Sequence, residues 1–141
     1  MPLRFARLDP DASLPARKHP TDAGVDVYAN QTVTVAPFSA ERVHTGLTYE
    51  VRPNFMLLAM PKSGSDFLLG AGVIDPGYQG EILIKVVNYT PDPLVIRRGD
   101  ALAQLVQVAI FTDVLEETGV AEIHTAPSTR GADGGIARQK D

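Results

Sequence analysis

Short apolar runs, separated by glycine, proline and other turn-forming residues, recur along the whole chain. The clearest of them cover residues 31–35, 55–60, 81–88 and 102–110. Runs of this length that are rich in β-branched and aromatic side chains predict strands, and their regular spacing predicts an all-β fold. Because residues 81–88 are mostly apolar, we expect a central strand of a barrel or sandwich, buried on both faces. Only residues 112–118 predict a helical turn or two.

The length and composition are those of one globular domain. The chain has 141 residues, 44% of them hydrophobic and 21% charged, which excludes disorder, a collagen and a coiled coil. Its formal net charge of −4 gives no broad basic surface for a phosphate backbone. We therefore expect no nucleic-acid partner, and any anionic ligand must bind to a local cluster of donors.

Residue types and motifs that the sequence lacks exclude several kinds of chemistry. Without cysteine there are no disulfides, thiolate nucleophiles, zinc ribbons or iron–sulfur clusters. His19, His44 and His124 are too scattered to predict a metal site, and no P-loop, dinucleotide fingerprint or nucleophile elbow occurs. No stretch approaches the roughly 18 apolar residues of a membrane span, and the first residues lack the apolar core of a secretion signal. We expect a cytoplasmic protein with no membrane partner.

The composition changes at residue 127. Residues 127–141 are rich in glycine and charge and nearly free of large apolar side chains, so they cannot form a core. Two interpretations are open: a frayed terminus, or a flexible arm whose glycine amides and Arg130 close over a phosphate. We expect a β domain over residues 1–126 and a C-terminal arm over residues 127–141.

Five short polar segments interrupt the apolar β framework. They are Asp-Ala-Gly-Val-Asp-Val-Tyr-Ala at 22–29, Pro-Lys-Ser-Gly at 61–64, Gly-Val-Ile-Asp-Pro-Gly-Tyr-Gln-Gly-Glu at 72–81, Arg-Gly-Asp-Ala-Leu-Ala-Gln-Leu at 98–105 and Arg-Gly-Ala-Asp-Gly-Gly at 130–135. Polar groups inside apolar strands need a structural or functional reason. Taken singly each segment says little, because an aspartate beside glycine or proline is more often a turn former than a catalyst.

In this order the five segments resemble the motif set of the trimeric dUTP pyrophosphatases (dUTPases), from about Asp22 to Gly135. The resemblance implies a β-barrel or jelly-roll-like subunit and a homotrimer with three active sites at the subunit interfaces. It also implies Mg²⁺-dependent hydrolysis of dUTP to dUMP and pyrophosphate. In nucleotide metabolism that reaction limits uracil in DNA and supplies dUMP for dTMP synthesis.

The resemblance assigns the chemistry to the third segment. Asp75 matches the carboxylate that activates the water attacking the α-phosphorus. Tyr78 matches the aromatic residue that packs on deoxyribose and leaves no room for a ribose 2′-hydroxyl. Gly72 and Ile74 match positions that bind the substrate. From the residues alone, the alternatives stay open that Asp75 is a turn aspartate and Tyr78 an ordinary strand aromatic.

The other segments match the family's contacts with the triphosphate and its metal. The residues expected to bind the phosphates are Lys62, Ser63, Gly64, Gln104, Arg130, Gly134 and Gly135. Asp26 matches a carboxylate near the waters of Mg²⁺, an ion that the substrate phosphates hold for the most part. Asp100 we assign instead to a structural turn after Gly99.

Three positions depart from the family pattern. Lys62 stands in place of an arginine, which keeps the charge but loses the bidentate fork, so we expect a softer phosphate contact. Residues 65–71 contain no asparagine of the uracil-binding hairpin, and we expect backbone groups around residues 69–72 to read the pyrimidine edge. In the arm, Ile136 occupies the place where many relatives have an aromatic residue, with Arg138 as a further charge.

Other functions remain open. The dCTP deaminases share the fold and an Ile-Asp-Pro-Gly stretch like residues 74–77, so a deaminase or a bifunctional deaminase and dUTPase is one alternative. Counting from Asp75 and checking against Asn88 places Lys85 where deaminases carry a catalytic glutamate, and a cation cannot act as that base. A non-catalytic trimer that binds a nucleotide or a regulatory partner is a second alternative, and a β-barrel binding protein without enzymatic activity is a third.

Overall fold

A computed structural model describes residues 1–70 and 72–131 of the chain. Nearly all of its regular structure is β-strand, which confirms the predicted all-β fold. In chain order the elements are β1 (Phe5–Arg7), β2 (Gly24–Tyr28), β3 (Val33–Val35), β4 (Ala40–His44), β5 (Leu47–Tyr49), β6 (Phe55–Met60), β7 (Leu68–Leu69), β8 (Gly72–Ile74), β9 (Leu83–Val87), β10 (Leu94–Ile96), β11 (Ala101–Ala109) and the short helix α1 (Val120–Ile123).

The strands pair antiparallel in two larger sheets and two small ladders. The four-stranded sheet has the order β2-β11-β6-β8, and the three-stranded sheet has the order β4-β9-β7. Strands β1 and β5 form one ladder, and β10 and β3 form the other. Neighbours within the sheets are mostly distant in sequence, as in a jelly-roll-like fold built from short crossing strands.

One cluster of buried apolar side chains joins the two larger sheets. Leu57 and Leu105 come from the four-stranded sheet, and Val43, Ile84 and Val86 come from the three-stranded sheet. Each of these side chains is at most 2% exposed. Burying a side chain of this size contributes roughly 1.5–3 kcal/mol. The cluster therefore fixes the strands whose ends carry the polar segments.

A buried asparagine ties the end of β9 to the end of β3. Asn88 is 3% exposed, and its Nδ2 donates to the carbonyl oxygens of Val35, at 3.1 Å, and Asp92, at 2.7 Å. Its Oδ1 accepts hydrogen bonds from the amide and hydroxyl of Thr90, at 3.0 and 2.8 Å. Because both ends of the amide have partners, its burial carries no unsatisfied polar atom.

The strand predicted at residues 81–88 forms, but its predicted burial on both faces is wrong for this subunit. Ile84 and Val86 are buried, whereas Leu83 is 39% exposed and Lys85 is exposed. The strand is central in its sheet, between β4 and β7, so its backbone is paired on both sides. The core covers one face of that sheet, and alternate side chains on the other face remain open.

The predicted helical turns at residues 112–118 are also wrong. Those residues carry no helix, and α1 begins at Val120, after Gly119. Thr112, Val114 and Thr118 are β-branched, which lowers helix propensity, and Gly119 interrupts the segment. Every residue of α1 is exposed, so no buried face stabilises a longer helix there.

The chain divides into two compact units, residues 1–111 and 112–141. The first unit contains all eleven strands of the described residues, and the second contains α1. The division into a β domain over 1–126 and an arm over 127–141 stays a prediction. Among residues 1–70 and 72–131, no helix is long and apolar enough to cross a membrane.

Candidate active site

The third polar segment forms a tight turn directly after β8. The amide of Tyr78 donates to the carbonyl of Asp75 at 3.2 Å, and Gly77 has φ +81°. Proline in second position and a left-handed glycine in third position are the pattern of a type II turn. The structural and chemical interpretations of Asp75 are therefore compatible, because the turn that uses its backbone leaves its carboxylate exposed.

The ring of Tyr78 is held in one orientation. Its hydroxyl donates to the carbonyl of Glu81 at 2.8 Å. The ring end lies against Gly80, where an added Cβ would come within 2.5 Å of the Tyr78 hydroxyl oxygen. With 43% of its surface still exposed, Tyr78 presents a fixed aromatic wall beside Asp75.

Asp75 and Tyr78 line one cavity of about 450 Å³, which we call the turn cavity. The predicted residues Gly72 and Ile74 also line it, so the structure brings these four together. Its other walls come from β4, β6, β7 and β9 and the residues around them: Arg42, Ala59, Leu69, Gly70, Val73, Glu81, Ile82, Leu83, Ile84 and Lys85.

Sequence reasoning missed Arg42 and Lys85 as members of this cavity. The two residues are directly paired across β4 and β9. Both are exposed, and the strand alternation puts them on the open face of the sheet. The alternation of apolar and polar residues in each strand indicated that these side chains face away from the core. The pairing of β4 with β9, however, could not be predicted from either strand alone.

The first, second and fourth segments meet on the four-stranded sheet. Gln104 of β11 is paired with Asp26 of β2 on one side and with Met60 of β6 on the other. Lys62, which follows β6, places its Nζ 2.6 Å from Oδ1 of Asp26. The Nε2 of Gln104 donates to the carbonyl of Pro61 at 3.1 Å. Three predicted site residues, Asp26, Lys62 and Gln104, therefore form one cluster.

Ser63 and Gly64 lie in the turn that follows this cluster. Both are exposed, and the amide of Ser65 closes the turn by donating to the carbonyl of Lys62 at 3.2 Å. An added Cβ on Gly64 would meet no atom within 4 Å, so its backbone is open to a ligand. Lys62 and Gly64 line a second cavity, of about 410 Å³, which we call the lysine cavity.

The assignment of Asp100 to a structural turn is confirmed. Its Oδ2 accepts a hydrogen bond from the amide of Arg97 at 2.9 Å, and its own amide donates to the carbonyl of Arg97 at 2.9 Å. Gly99 between them has φ +91°, a conformation that favours glycine. Asp100 thus shapes the entry to β11, and through it the position of Gln104.

The acidic side chains of residues 1–70 and 72–131 do not gather into a metal cage. In that part of the chain there is no group of three or more histidine, cysteine, aspartate or glutamate residues that could hold a metal ion. The single carboxylate of Asp26, 14% exposed, shares one oxygen with Lys62. This donor set fits Mg²⁺ held by one carboxylate and by phosphates, since that ion keeps several waters and is rarely caged by protein alone.

Arg130 lies in the second compact unit. Its amide donates to the hydroxyl of Ser128 at 3.3 Å, and Gly131 after it has φ +69°. Its side chain is exposed. Gly134, Gly135 and Ile136 lie outside the described residues, so the phosphate contacts predicted for the arm stay predictions.

Comparison with known proteins gives consistent matches. The dUTPase family model matches residues 10–138. The deoxyuridine 5'-triphosphate nucleotidohydrolase of Mycolicibacterium vanbaalenii is 40% identical over 141 residues, covering 94% of this chain and 91% of that protein. The solved dUTPase of Staphylococcus bacteriophage 80alpha with dUPNHPP has a TM-score of 0.82 at 26% identity, covering 94% of this chain and 95% of that one.

A second solved structure is a mutant dUTPase from phage phi11 of S. aureus, which coordinates a structural Mg(II) ion. Its TM-score is 0.77 at 26% identity, and it covers 84% of this chain and 97% of that one. The jelly-roll-like arrangement of strands is therefore shared with both phage proteins.

Proposed function

Because the dUTPase family model matches residues 10–138, the chain belongs to the dUTPase family, and we propose that it hydrolyses dUTP to dUMP and pyrophosphate. The observation that carries this proposal is the turn cavity, where the exposed carboxylate of Asp75 stands beside the fixed ring of Tyr78. A general base next to a rigid sugar-sized wall is what selective hydrolysis of a deoxynucleotide requires.

Asp75 acts as the general base. Its carboxylate accepts a proton from a water molecule whose oxygen bonds to the α-phosphorus of dUTP. The bond from that phosphorus to the bridging oxygen breaks, and pyrophosphate leaves with the electron pair. Gly77 supports this role, because its left-handed conformation forms the turn that holds Asp75 at the cavity wall.

Tyr78 selects the sugar. Its hydrogen bond to Glu81 and its contact with Gly80 prevent the ring from moving aside. A deoxyribose packs flat on such a ring, whereas a ribose 2′-hydroxyl would need space that the ring occupies.

The lysine cavity supplies donors for the triphosphate. In it, Lys62 brings a cation and Gly64 an open backbone. Ser63, in the same turn, adds an exposed hydroxyl, and Gln104 adds a side-chain amide from β11. Asp26 would hold the waters of Mg²⁺ bound to the phosphates, and the ion would neutralise their charge. The phi11 protein coordinates a structural Mg(II) ion, and the role of Mg²⁺ in hydrolysis belongs to our proposal.

The active site is shared between subunits of a homotrimer. Within one subunit, Asp75 and Tyr78 line the turn cavity, while Lys62 and Gly64 line the lysine cavity. A threefold ring would join the turn cavity of one subunit to the lysine cavity of its neighbour, with the arm and Arg130 supplied by the third. Each complete site would then have walls on several sides, as a nucleotide requires.

The deaminase alternative is disfavoured by Lys85, which lines the turn cavity where that family's glutamate would stand. A parallel assay of dUTP, dTTP, dCTP and UTP separates the functions. We expect Mg²⁺-dependent release of pyrophosphate from dUTP, little from UTP and no ammonia from dCTP. Ammonia from dCTP, or nucleotide binding without any release of pyrophosphate, would overturn the proposal in favour of a deaminase or a non-catalytic trimer.

A further inference from the structure

Lys85 is a cation in the turn cavity that has no role in the proposed hydrolysis. It lies in the middle of β9, opposite Arg42 of β4, and its side chain is exposed on the open face of the sheet. It lines the same cavity as Asp75 and Tyr78. Among the described residues, neither an ion pair nor a side-chain hydrogen bond involves Lys85. Its ammonium therefore has donors available for a ligand.

The stem of Lys85 is held in place by Gly70. A Cβ added to Gly70 would come within 2.6 Å of Cδ and 3.0 Å of Cγ of Lys85. The amide of Gly70 also donates to the carbonyl of Lys85 at 2.9 Å. The lysine methylenes thus lie directly on the backbone of Gly70, and both residues line the turn cavity.

We propose that Lys85 is a specificity-determining residue that donates a hydrogen bond to the carbonyl oxygen at position 4 of uracil. This inference rests on the proposed function, since it takes the turn cavity as the place where nucleoside binds. An ammonium group only donates. It can pair with the carbonyl at position 4 of uracil, but it faces another donor at the amino group of cytosine.

The base, rather than the triphosphate, is the fitting partner on structural grounds. Lys85 shares its cavity with Tyr78, the proposed sugar wall, and with Gly70 and Gly72 on both sides of the β7–β8 connection. The donors suited to phosphate, on Lys62 and Gly64, line the other cavity. Residues 65–71, which include β7, contain no asparagine, so this stretch offers no side-chain amide to read the base. Lys85 supplies a side-chain donor from the adjoining strand.

The test compares nucleoside monophosphates, which carry the base and sugar but only one phosphate. Lys85→Met keeps an unbranched stem on Gly70 and removes the ammonium. We expect it to weaken dUMP binding, measured by calorimetry, by about 10- to 100-fold, the usual range for a charge-assisted hydrogen bond. Binding of dCMP should change little. Lys85→Gln, whose amide both donates and accepts, should bind dUMP and dCMP with similar Kd values.

Arg42→Met is the matched control, because it removes one positive charge from the same cavity. We expect it to change the Kd of dUMP and dCMP by equal factors. If Lys85→Met also changes both equally, Lys85 acts on a group that the two nucleotides share, which is the phosphate, the sugar or the position-2 carbonyl, and the inference is wrong. Unchanged binding of both would likewise overturn it.

Failure of the proposed function can be told apart from failure of this inference. Absence of pyrophosphate release by the wild-type protein would remove the hydrolase assignment. The ratio of dUMP to dCMP binding would still report whether Lys85 reads the base. Since the side chain of Lys85 is exposed, Lys85→Met and Lys85→Gln should melt at the wild-type temperature. Thermal unfolding followed by circular dichroism checks this.

Discussion

Lys62 and Asp26 form an ion pair between the second and first polar segments, with Nζ 2.6 Å from Oδ1. The two side chains are 28% and 14% exposed, so the pair is largely shielded from water. If the lysine is removed, the carboxylate stays shielded from water without a charged partner, and this destabilises the folded state. The pair therefore ties the proposed phosphate and metal contacts to the stability of the four-stranded sheet.

Lys62→Met should lower the free energy of unfolding by about 1–3 kcal/mol, because it leaves the Asp26 carboxylate without a charged partner. Urea denaturation at pH 7 measures this. Lys62→Arg keeps the charge and should restore most of the loss. Lys18→Met, at an exposed lysine, is the surface control and should change stability by less than about 0.5 kcal/mol. Equal losses for Lys62→Met and Lys18→Met would show that the pair adds nothing.

Asp75→Asn should lower kcat for dUTP by roughly 10²–10⁴-fold, because the amide has nearly the same shape but cannot accept the proton of the attacking water. Nucleotide affinity should stay close to that of the wild type, since the turn uses the backbone of residue 75. Steady-state kinetics and dUMP titration together check this. Wild-type turnover by the variant would remove Asp75 from the mechanism.

Tyr78→Ala should raise kcat/KM for UTP relative to dUTP, because it opens the space for a 2′-hydroxyl. Tyr78→Phe is the matched control: it keeps the ring and removes only the hydrogen bond to Glu81. The ratio for this control should stay closer to the wild-type ratio. If the ratio for Tyr78→Ala is unchanged, sugar selection resides elsewhere.

Stability at alkaline pH should depend on Tyr49. Its side chain is 5% exposed, its hydroxyl has no hydrogen-bond partner among the described residues, and burial raises the pKa of Tyr49 to about 12. The folded state favours the neutral phenol. The stability that Tyr49 contributes to the folded state is therefore fully present below the ordinary pKa of 10.0 and is lost as the pH rises towards 12. The loss amounts to about 2–3 kcal/mol.

Tyr49→Phe removes the titrating group and a buried hydroxyl. We expect the variant to be at least as stable as the wild type at pH 8 and to lose less stability between pH 10 and 12. Urea denaturation across this range, compared between the two proteins, isolates Tyr49 from the other groups that titrate there. Parallel pH profiles would contradict the prediction.

Mixed trimers test the shared site. Subunits with Asp75→Asn and subunits ending at Ala126 should each be nearly inactive alone. Unfolded and refolded together, they should regain partial activity, because some sites combine an intact Asp75 with an arm from another chain. If mass measurement confirms mixed trimers but activity equals the sum of the residual activities, the arm does not act in a neighbour's site.

Local pattern predicted much of the fold and the turn of the candidate site. Residues 55–60 form β6 as predicted, and β11 differs from residues 102–110 by one position at each end. The turn at Asp75 follows from proline and glycine in adjacent positions. Each of these features depends on neighbours in sequence, which is why the pattern contains them.

Features set by strand pairing could not be predicted in this way. Arg42 and Lys85 share a cavity because β4 pairs with β9, and Lys62 reaches Asp26 because β6 and β2 flank β11. The partial exposure of β9 has the same origin, because the packing of the whole fold determines which face of a sheet is covered. Sequence reasoning singled out Asp26, Lys62 and Lys85 but not Arg42, and it did not predict which of these side chains lie together.

The hydrogen bonds of Asn88 have a consequence for the order of folding events. Two of them, to the carbonyls of Val35 and Ala36, join segments 53 and 52 residues apart in the chain, whereas those with Thr90 and Asp92 are local. Closing so long a loop costs conformational entropy before these two bonds form, so we expect them to form after the rate-limiting step of folding. Interactions made after the rate-limiting barrier govern how fast the native state opens rather than how fast it is reached. We therefore expect Asn88 to act chiefly on the lifetime of the folded subunit.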